Sequence, residues 1–334
     1  MIGPASVRAV QVTRFGGSDE LHIVRLPLRP PAPGEIVVRH EWIGLNYTDV
    51  YQRSGVHPLS FAVPLRLGME ASGVVESTGD GVSHLRPGDR VAYACHPPGS
   101  YAEARTMPAR DVCRLPDAIA FDTAAAMMLK GMTAHYLLKR CRPPDGLRAG
   151  DPVLFHAAAG GVGLIVCQWA RHLGLELIAT AGSDEKCALA LAHGAAHAIN
   201  YRREDFVARV REITGGEGVA AAYDAVGRDT WDGSVACLRR FGLAVSFGMA
   251  SGPVPPLDIA ALGRHAVYVT RQSLFNFMFS RKATQAMADD LFDVVASGAV
   301  RAQISRRFAL DEIRAAHDAL ESRSSTGSMI LSPR

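Results

Sequence analysis

Residues 155–166 read FHAAAGGVGLIV, three alanines and three glycines between two apolar runs. A run of this kind is either a tight turn of small residues or a cradle for the phosphates of a dinucleotide. Its surroundings decide between the two. Ala158, Gly160 and Gly163 fit the G/A-x-G-x-x-G spacing, with alanine in place of the first glycine. The apolar residues 153–156 before the run read as a strand, and after it Val162, Val166, Trp169 and Leu173 recur at helical spacing on one face. In a strand–turn–helix setting the small residues acquire a purpose: backbone must approach a pyrophosphate closely, and a helix N-terminus offers unpaired N–H groups and partial positive charge. A side chain at Gly160 or Gly161 would hold the phosphates off.

Outward from this stretch the rhythm continues as strand, glycine turn and helix. LELIATAG (175–182), EKCALALAHG (185–194) and AHAIN (196–200) follow, and VAAAYDAVG (219–227) and GLAVSFGMA (242–250) supply two further strands. Alternation at this interval predicts βαβ crossovers and an open, doubly wound parallel sheet. The N-terminal third differs. VRAVQVTRFG (7–16), EIVVRHEWIGLN (35–46), ASGVVEST (71–78) and DRVAYAC (89–95) are short β-type segments broken by Gly, Pro and Asp, which predicts an irregular, mainly β domain. A helical stretch at 122–140 and the Pro/Gly-rich CRPPDGLRAGD (141–151) separate the two rhythms. After about residue 265 the chain reads as helical again, ending in a strand GSMILS (327–332) whose destination the residues alone leave open.

The end of the second strand of the alternating region bears on which dinucleotide is held. An NAD site places Asp or Glu there to accept from the ribose 2′-OH. This chain has Ala181-Gly182-Ser183 instead. Gly182 and Ser183 leave room and donors for a 2′-phosphate, Lys186 adds a positive charge one turn on, and Tyr201 after the third strand is placed to close the same pocket. NADPH is therefore the expected cofactor. Asp184 and Glu185 stand at a helix start, where acids are favoured by the helix dipole and face water, and Lys186 has an alternative reading as an ordinary surface lysine.

Composition bounds the rest. At 334 residues, with 48% hydrophobic and 21% charged residues, the chain is long enough for two globular domains. A net charge of +3 and scattered arginine pairs, Arg202-Arg203 among them, give no footprint for nucleic acid and read as solvated faces. The cysteines show no C-x-x-C or metal-knuckle spacing and read as reduced thiols of a cytoplasmic protein; no secretory leader or apolar run of membrane-spanning length is seen. His193 and His197 have the i, i+4 spacing of metal helices, but with GAA between them and no acid they are read as a decoy.

The phrases GLNYTDVYQRSG (44–55), LGMEASGVVESTG (67–79), LKGMTAHYLL (129–138), HAAAGGVG (156–163), INYRREDF (199–206), YDAVGRDTW (223–231), YVTRQSL (268–274) and ESRSSTGS (321–328) together resemble the medium-chain dehydrogenase/reductase superfamily, nearly end to end. Within it they are most similar to the NADPH:quinone oxidoreductases, the zinc-free relatives of zeta-crystallin. The resemblance implies a GroES-like, mainly β catalytic domain of residues 1–125 and 266–334 with a Rossmann NADPH domain of residues 126–265, in a homodimer joined through an edge strand of the cofactor domain. Zinc members carry G-x-C-H-x-D and G-H-E; here Asn46, Tyr47 and Met69 stand at the ligand positions, with Glu70 retained. An amide and a thioether do not replace thiolate and imidazole around Zn²⁺, so no catalytic metal is expected.

By the same resemblance Asn46, Tyr47, Thr48, Asp49 and Tyr51 line an interdomain cleft near the nicotinamide. Asn46 and Tyr51 are the catalytic candidates, Tyr51 orienting or protonating the acceptor, although its ring could equally pack locally. Tyr136, Gly160, Gly161, Val162, Val226, Phe247, Gly248, Met249, Ser273, Leu274 and Arg323 match positions along the cofactor, and Arg323 implies that the tail returns to the first domain. An enzyme with no Lewis acid suits an acceptor that takes hydride readily, a quinone or alternatively an α,β-unsaturated carbonyl. A third reading, a non-catalytic cofactor-bound binding protein, has no support in the charge pattern.

Overall fold

The computed structural model describes residues 6–57, 59–263, 265–322 and 325–334. Two compact units divide the chain. One takes the residues up to Lys130 together with Met278–Phe292 and Ala302–Arg334; the other takes Gly131–Phe277 and Asp293–Arg301.

In the first unit, β1 (Ser6–Val12) pairs antiparallel with β2 (Leu21–Pro27). Strand β3 (Glu35–Gly44) leads into helix α1 (Tyr47–Ser54), and β4 (Leu65–Arg66), β5 (Glu70–Thr78), β6 (Arg90–Ala94), β7 (Ala104–Pro108) and β8 (Cys113–Arg114) follow. Helix α2 (Phe121–Lys139) leaves the unit beyond Lys130. Among the described residues β2-β1-β4 make a small sheet, while β3, β5, β6 and β8 continue a larger one that β7 joins by pairing with β3. In β3 the apolar run Ile36–Val38 is buried, and register shifts bring Ile43 into the core as well, so Ile36, Val38 and Ile43 are without measurable exposure.

The tail completes this unit. Strands β15 (Ile304–Ala309) and β16 (Ser328–Ser332) pair parallel to each other, and β16 runs antiparallel to β3, with Ile330 opposite Gly44 and Leu331 opposite Ile43. Phe308, Met329 and Leu331 lie in the same apolar core as Val10, Ile43 and Tyr93. The destination left open by the sequence is thus the first unit. Arg323, which the resemblance used for the same inference, lies outside the described residues.

The second unit is the alternating one: β9 (Pro152–Phe155), α3 (Gly161–His172), β10 (Glu176–Ala181), α4 (Asp184–Ala192), β11 (His197–Asn200), α5 (Phe206–Ile213), β12 (Val219–Asp224), α6 (Trp231–Ala236), β13 (Leu238–Ser246), α7 (Ile259–Leu262) and β14 (Tyr268–Arg271). All neighbouring pairs are parallel, in the order β11-β10-β9-β12-β13-β14. In this order the chain reverses direction across the sheet between β9 and β12, the switch point at which doubly wound sheets bind ligands outside their carboxyl ends. Helix α8 (Arg281–Ala296) and α9 (Ile313–Glu321) complete the element set.

One local expectation needs correction. Helix α3 does not bury a single stripe: Leu164, Ile165 and Cys167 are buried alongside Val166 and Trp169, while Val162 and Leu173 are only half-buried. Opposite its sheet-facing side, Gln168 exchanges hydrogen bonds with the backbone of Arg301, accepting from its N–H (2.9 Å) and donating to its carbonyl (3.0 Å). With Gly163–Ala170 all buried and only Arg171 and His172 exposed at its end, α3 carries no single apolar stripe.

Candidate active site

The carboxyl ends of the parallel strands carry most of the sequence-named cofactor positions. After β9 the backbone turns through Ala157, at φ 57°, and the Ala158 N–H donates to the Thr180 carbonyl of β10 at 3.1 Å. Gly160 caps α3 with no side chain over the first helical turn and no acid within it. Two glycines here serve different ends. A Cβ on Gly163 would sit 2.4 Å from the Ala158 carbonyl oxygen, so that glycine lets the helix close on the turn; a Cβ on Gly160 would meet only the Ala157 oxygen, at 3.2 Å. A Cβ on Gly160 would thus meet little of the protein, and the N–H groups of the first turn have no side-chain cap, which fits a phosphate.

At the end of β10 the structure brings Gly182, Ser183, Lys186 and Tyr201 together. A Cβ on Gly182 would lie 2.6 Å from the Tyr201 hydroxyl and 3.5 Å from Nε of Arg202. Ser183 caps α4 by accepting from the Lys186 N–H. Burial first, and the Arg202 charge second, lower the pKa of Lys186, so two cations converge on this corner. Asp184 is turned away, its carboxylate accepting from Asn200 Nδ2 and Arg203 Nη1, each at 2.6 Å. Arg202 is the residue that sequence reasoning missed. The sequence pattern reads it with Arg203 as a solvated pair, although both stand in the turn after the parallel strand β11, where the dinucleotide corner lies.

Further along the same edge, Val226 follows β12, and Phe247, Gly248 and Met249 follow β13. These two loops are tied by Ala250 N–H to Ala225 (3.1 Å) and Ser251 N–H to Val226 (2.8 Å). Ser273 and Leu274 follow β14, Leu274 buried. Tyr136, on α2, stacks on Phe277 with ring centres 4.8 Å apart. Of the decoy pair, His193 Nδ1 bonds its own helix at Leu189, and His197 Nε2 lies 3.0 Å from Glu176 Oε1, so an acid from the neighbouring strand does meet it.

In the first unit, α1 divides the other candidates by face. Tyr47, Thr48 and Tyr51 are half-buried, the two tyrosine rings edge to face at 5.2 Å. Asn46 and Asp49 are buried. Asp49 accepts from the Asn46 N–H (2.9 Å), the reciprocal half of a capping box, and from the Tyr101 hydroxyl (2.7 Å). Burial pushes its carboxyl up to about 7, against those two hydrogen bonds and with Glu70 adding to the rise. The Asn46 amide donates to Glu70 Oε1 at 2.8 Å, where Lys130 Nζ also arrives at 2.7 Å, and the Leu129 N–H takes Oε2 at 2.6 Å. Met69 Sδ accepts from Gln52 Nε2. The Glu70–Lys130 pair is thus a buried ion pair with the Asn46 amide bonded to it, and Met69 is engaged with Gln52. Among the described residues no three His, Cys, Asp or Glu side chains converge as metal ligands.

Residues 32–117 match the alcohol dehydrogenase GroES-like domain and residues 161–301 the zinc-binding dehydrogenase family. The chain is 45% identical to the quinone oxidoreductase of Salmonella typhimurium, over 97% of its own length and 99% of the relative's. It belongs to the quinone oxidoreductase family. Other similar family members include the Escherichia coli quinone oxidoreductase solved in complex with NADPH, at TM-score 0.93 and 42% identity, covering 98% of this chain and 100% of that one. A 2-haloacrylate reductase from a Burkholderia species is 39% identical over 98% of the chain and 99% of the relative.

Proposed function

We propose that the chain is an NADPH-dependent quinone reductase that works without zinc. The observation that carries this is the corner at Gly182: a glycine with no acid, overhung by the Tyr201 hydroxyl, with Lys186 and Arg202 beside it, fits a 2′-phosphate and not a bare ribose. The E. coli relative solved with NADPH supports the same reading.

When bound, NADPH supplies the hydride. The chain's own residues do the rest. The N–H groups of Gly160, Gly161 and Val162 would hold the pyrophosphate, and Ser183, Lys186, Tyr201 and Arg202 the 2′-phosphate. Val226, Phe247, Gly248, Met249, Ser273, Leu274, Tyr136 and Arg323 are assigned to the length of the cofactor. Tyr47, Thr48 and Tyr51 form the half-buried face assigned to the nicotinamide and acceptor, with the Tyr51 hydroxyl orienting the acceptor or giving it a proton. Asn46 and Asp49 act from behind that face, by fixing α1.

The test is NADPH and NADH oxidation across a panel of quinones and enones, with Lys186→Ala and Arg202→Ala. Strong NADPH preference with benzoquinone or naphthoquinone, lost in both variants, is the expected result. No turnover with any quinone would remove the reading. The 2-haloacrylate reductase relative favours a second acceptor class, electron-poor alkenes, and kcat/KM for the two classes decides between them.

We also assign a homodimer through β14, the strand that ends the parallel sheet and whose Tyr268 is left 45% exposed at that edge. A reducing, cytoplasmic setting is the compartment we infer: the six cysteines are free and buried, and no helix among the described residues is long and apolar enough to cross a membrane.

A further inference from the structure

Beneath the dinucleotide turn lies a closed polar network that none of the roles above uses. His156, which ends the run into the turn, places Nδ1 2.8 Å from Thr180 Oγ1 and Nε2 2.9 Å from Ser234 Oγ. Ser234 Oγ is 2.7 Å from Asp224 Oδ2, which Thr230 Oγ1 also reaches at 2.8 Å. The other carboxylate oxygen accepts from the N–H groups of Val226 (2.8 Å) and Gly227 (2.9 Å). His156, Thr180, Ser234 and Asp224 are all buried to within 1% exposure. The Phe206 ring covers the imidazole edge to face at 5.0 Å, reaching it past Gly233, where a Cβ would be 2.3 Å from that ring.

The donors settle the tautomer. Ser234 has one hydroxyl proton, and its two other neighbours, the Asp224 carboxylate and the Thr230 carbonyl at 3.0 Å, can only accept. Ser234 Oγ must then accept from His156, so Nε2 carries the proton, and Nδ1 accepts from the Thr180 hydroxyl. Burial also lowers the pKa of His156, consistent with a neutral ring. One imidazole thereby joins the ends of β9, β10 and β12, the three strands around the switch point. The backbone already ties those strands, through Ala158 N–H to Thr180 and His156 N–H to Tyr223, so the ring's own contribution is to the direction in which the turn leaves β9.

We propose that His156, with its Nε2 proton directed to Ser234 and its Nδ1 to Thr180, is a positioning residue for the dinucleotide turn. It touches no ligand; it fixes the path of Ala157–Gly160 and, through Asp224, the Val226 loop. The proposal rests on the NADPH reading.

The test is Thr180→Val, which keeps shape and removes the donor to Nδ1, with Thr180→Ser restoring it. In Thr180→Val the KM for NADPH rises about tenfold while kcat and the quinone KM stay within about twofold, and Thr180→Ser returns the KM to the parent value. Ile199→Val, a packing change in the same unit that lowers Tm, leaves the NADPH KM unchanged. Imidazole ¹⁵N spectra of the parent show a protonated Nε2 and a bare Nδ1. If Thr180→Val does not fold, Ser234→Ala carries the same measurement. An unchanged NADPH KM, an equal rise in Ile199→Val, or a proton on Nδ1 overturns the proposal. Failure of the parent protein to bind NADPH overturns the functional reading instead, and the spectra distinguish the two.

Discussion

At the residue scale the decisive positions are the ones where a single atom has no room or no partner. Gly182→Asp puts a Cβ against the Tyr201 hydroxyl and an acid among two cations. It should cut kcat/KM for NADPH at least about tenfold, roughly 1.4 kcal/mol, while NADH falls less, read as the ratio of the two cofactors in steady-state assays. Asp49 gives a pH signature. Its folded pKa, about 7, lies above its unfolded value, so the folded form binds a proton that the unfolded form has lost. That contribution is fully present below about pH 4 and is lost as pH rises through about 7. Asp49→Asn keeps an acceptor for Tyr101 and cannot ionise, so Tm of the parent should fall relative to the variant across this window; parallel Tm–pH curves would count against it. Gly160, Gly163 and Gly182 were legible in the sequence because their steric demand is local. Arg202 and the Glu70–Lys130 pair were not, since the first depends on which way one side chain leaves a strand end and the second joins residues far apart in the chain.

At the scale of elements, the turn between β9 and α3 is where local sequence and tertiary packing agree. Gly163→Ala would drive a methyl into the Ala158 backbone, with contacts of 2.4 to 2.5 Å. The helix must withdraw, and we expect a loss of about 1–3 kcal/mol in stability together with weaker NADPH binding, measured by thermal melts and by fluorescence titration. Five of the six strands of the second unit could be read directly as short apolar runs, but β14 could not: YVTR (268–271) is short and half polar, and the chain after about residue 265 reads as helical where the structure has this strand. The periodicity of α3 could not be read either, because Gly163–Ala170 are all buried. In the first unit α1 is not legible in the sequence as a helix at all, and neither is which of its residues face inward. Its buried set includes Asp49, Gln52 and Arg53, all more polar than the half-buried Tyr47 and Tyr51, so hydrophobicity points the wrong way.

For the whole molecule, the tail is the element with the longest reach. Strand β16 pairs with β3, and Phe308, Leu310, Ile313, Met329 and Leu331 belong to the core of the first unit. Arg53 is buried and reaches across to α9, donating to both oxygens of Glu321 at 2.9 and 2.8 Å and contacting His317. A chain ending before Ala302 should therefore lose the first unit's protection against limited proteolysis while residues 150–250 remain resistant. Equal protection in both would show that the tail is dispensable. Nothing in the composition of the tail announced this, because a strand carries no label for its partner; the resemblance implied it through Arg323, which lies outside the described residues.

The Glu70–Lys130 pair also sets the cost of building a metal site here. Glu70 has no exposed surface and its oxygens already accept from Lys130, Asn46 and the Leu129 backbone. Asn46→Cys and Met69→His would place two metal ligands beside a carboxylate that is already occupied, and freeing that carboxylate by removing Lys130 leaves a buried charge at a cost of about 3–5 kcal/mol. A designer wishing to build a metal site into this scaffold would therefore have to begin at the lysine.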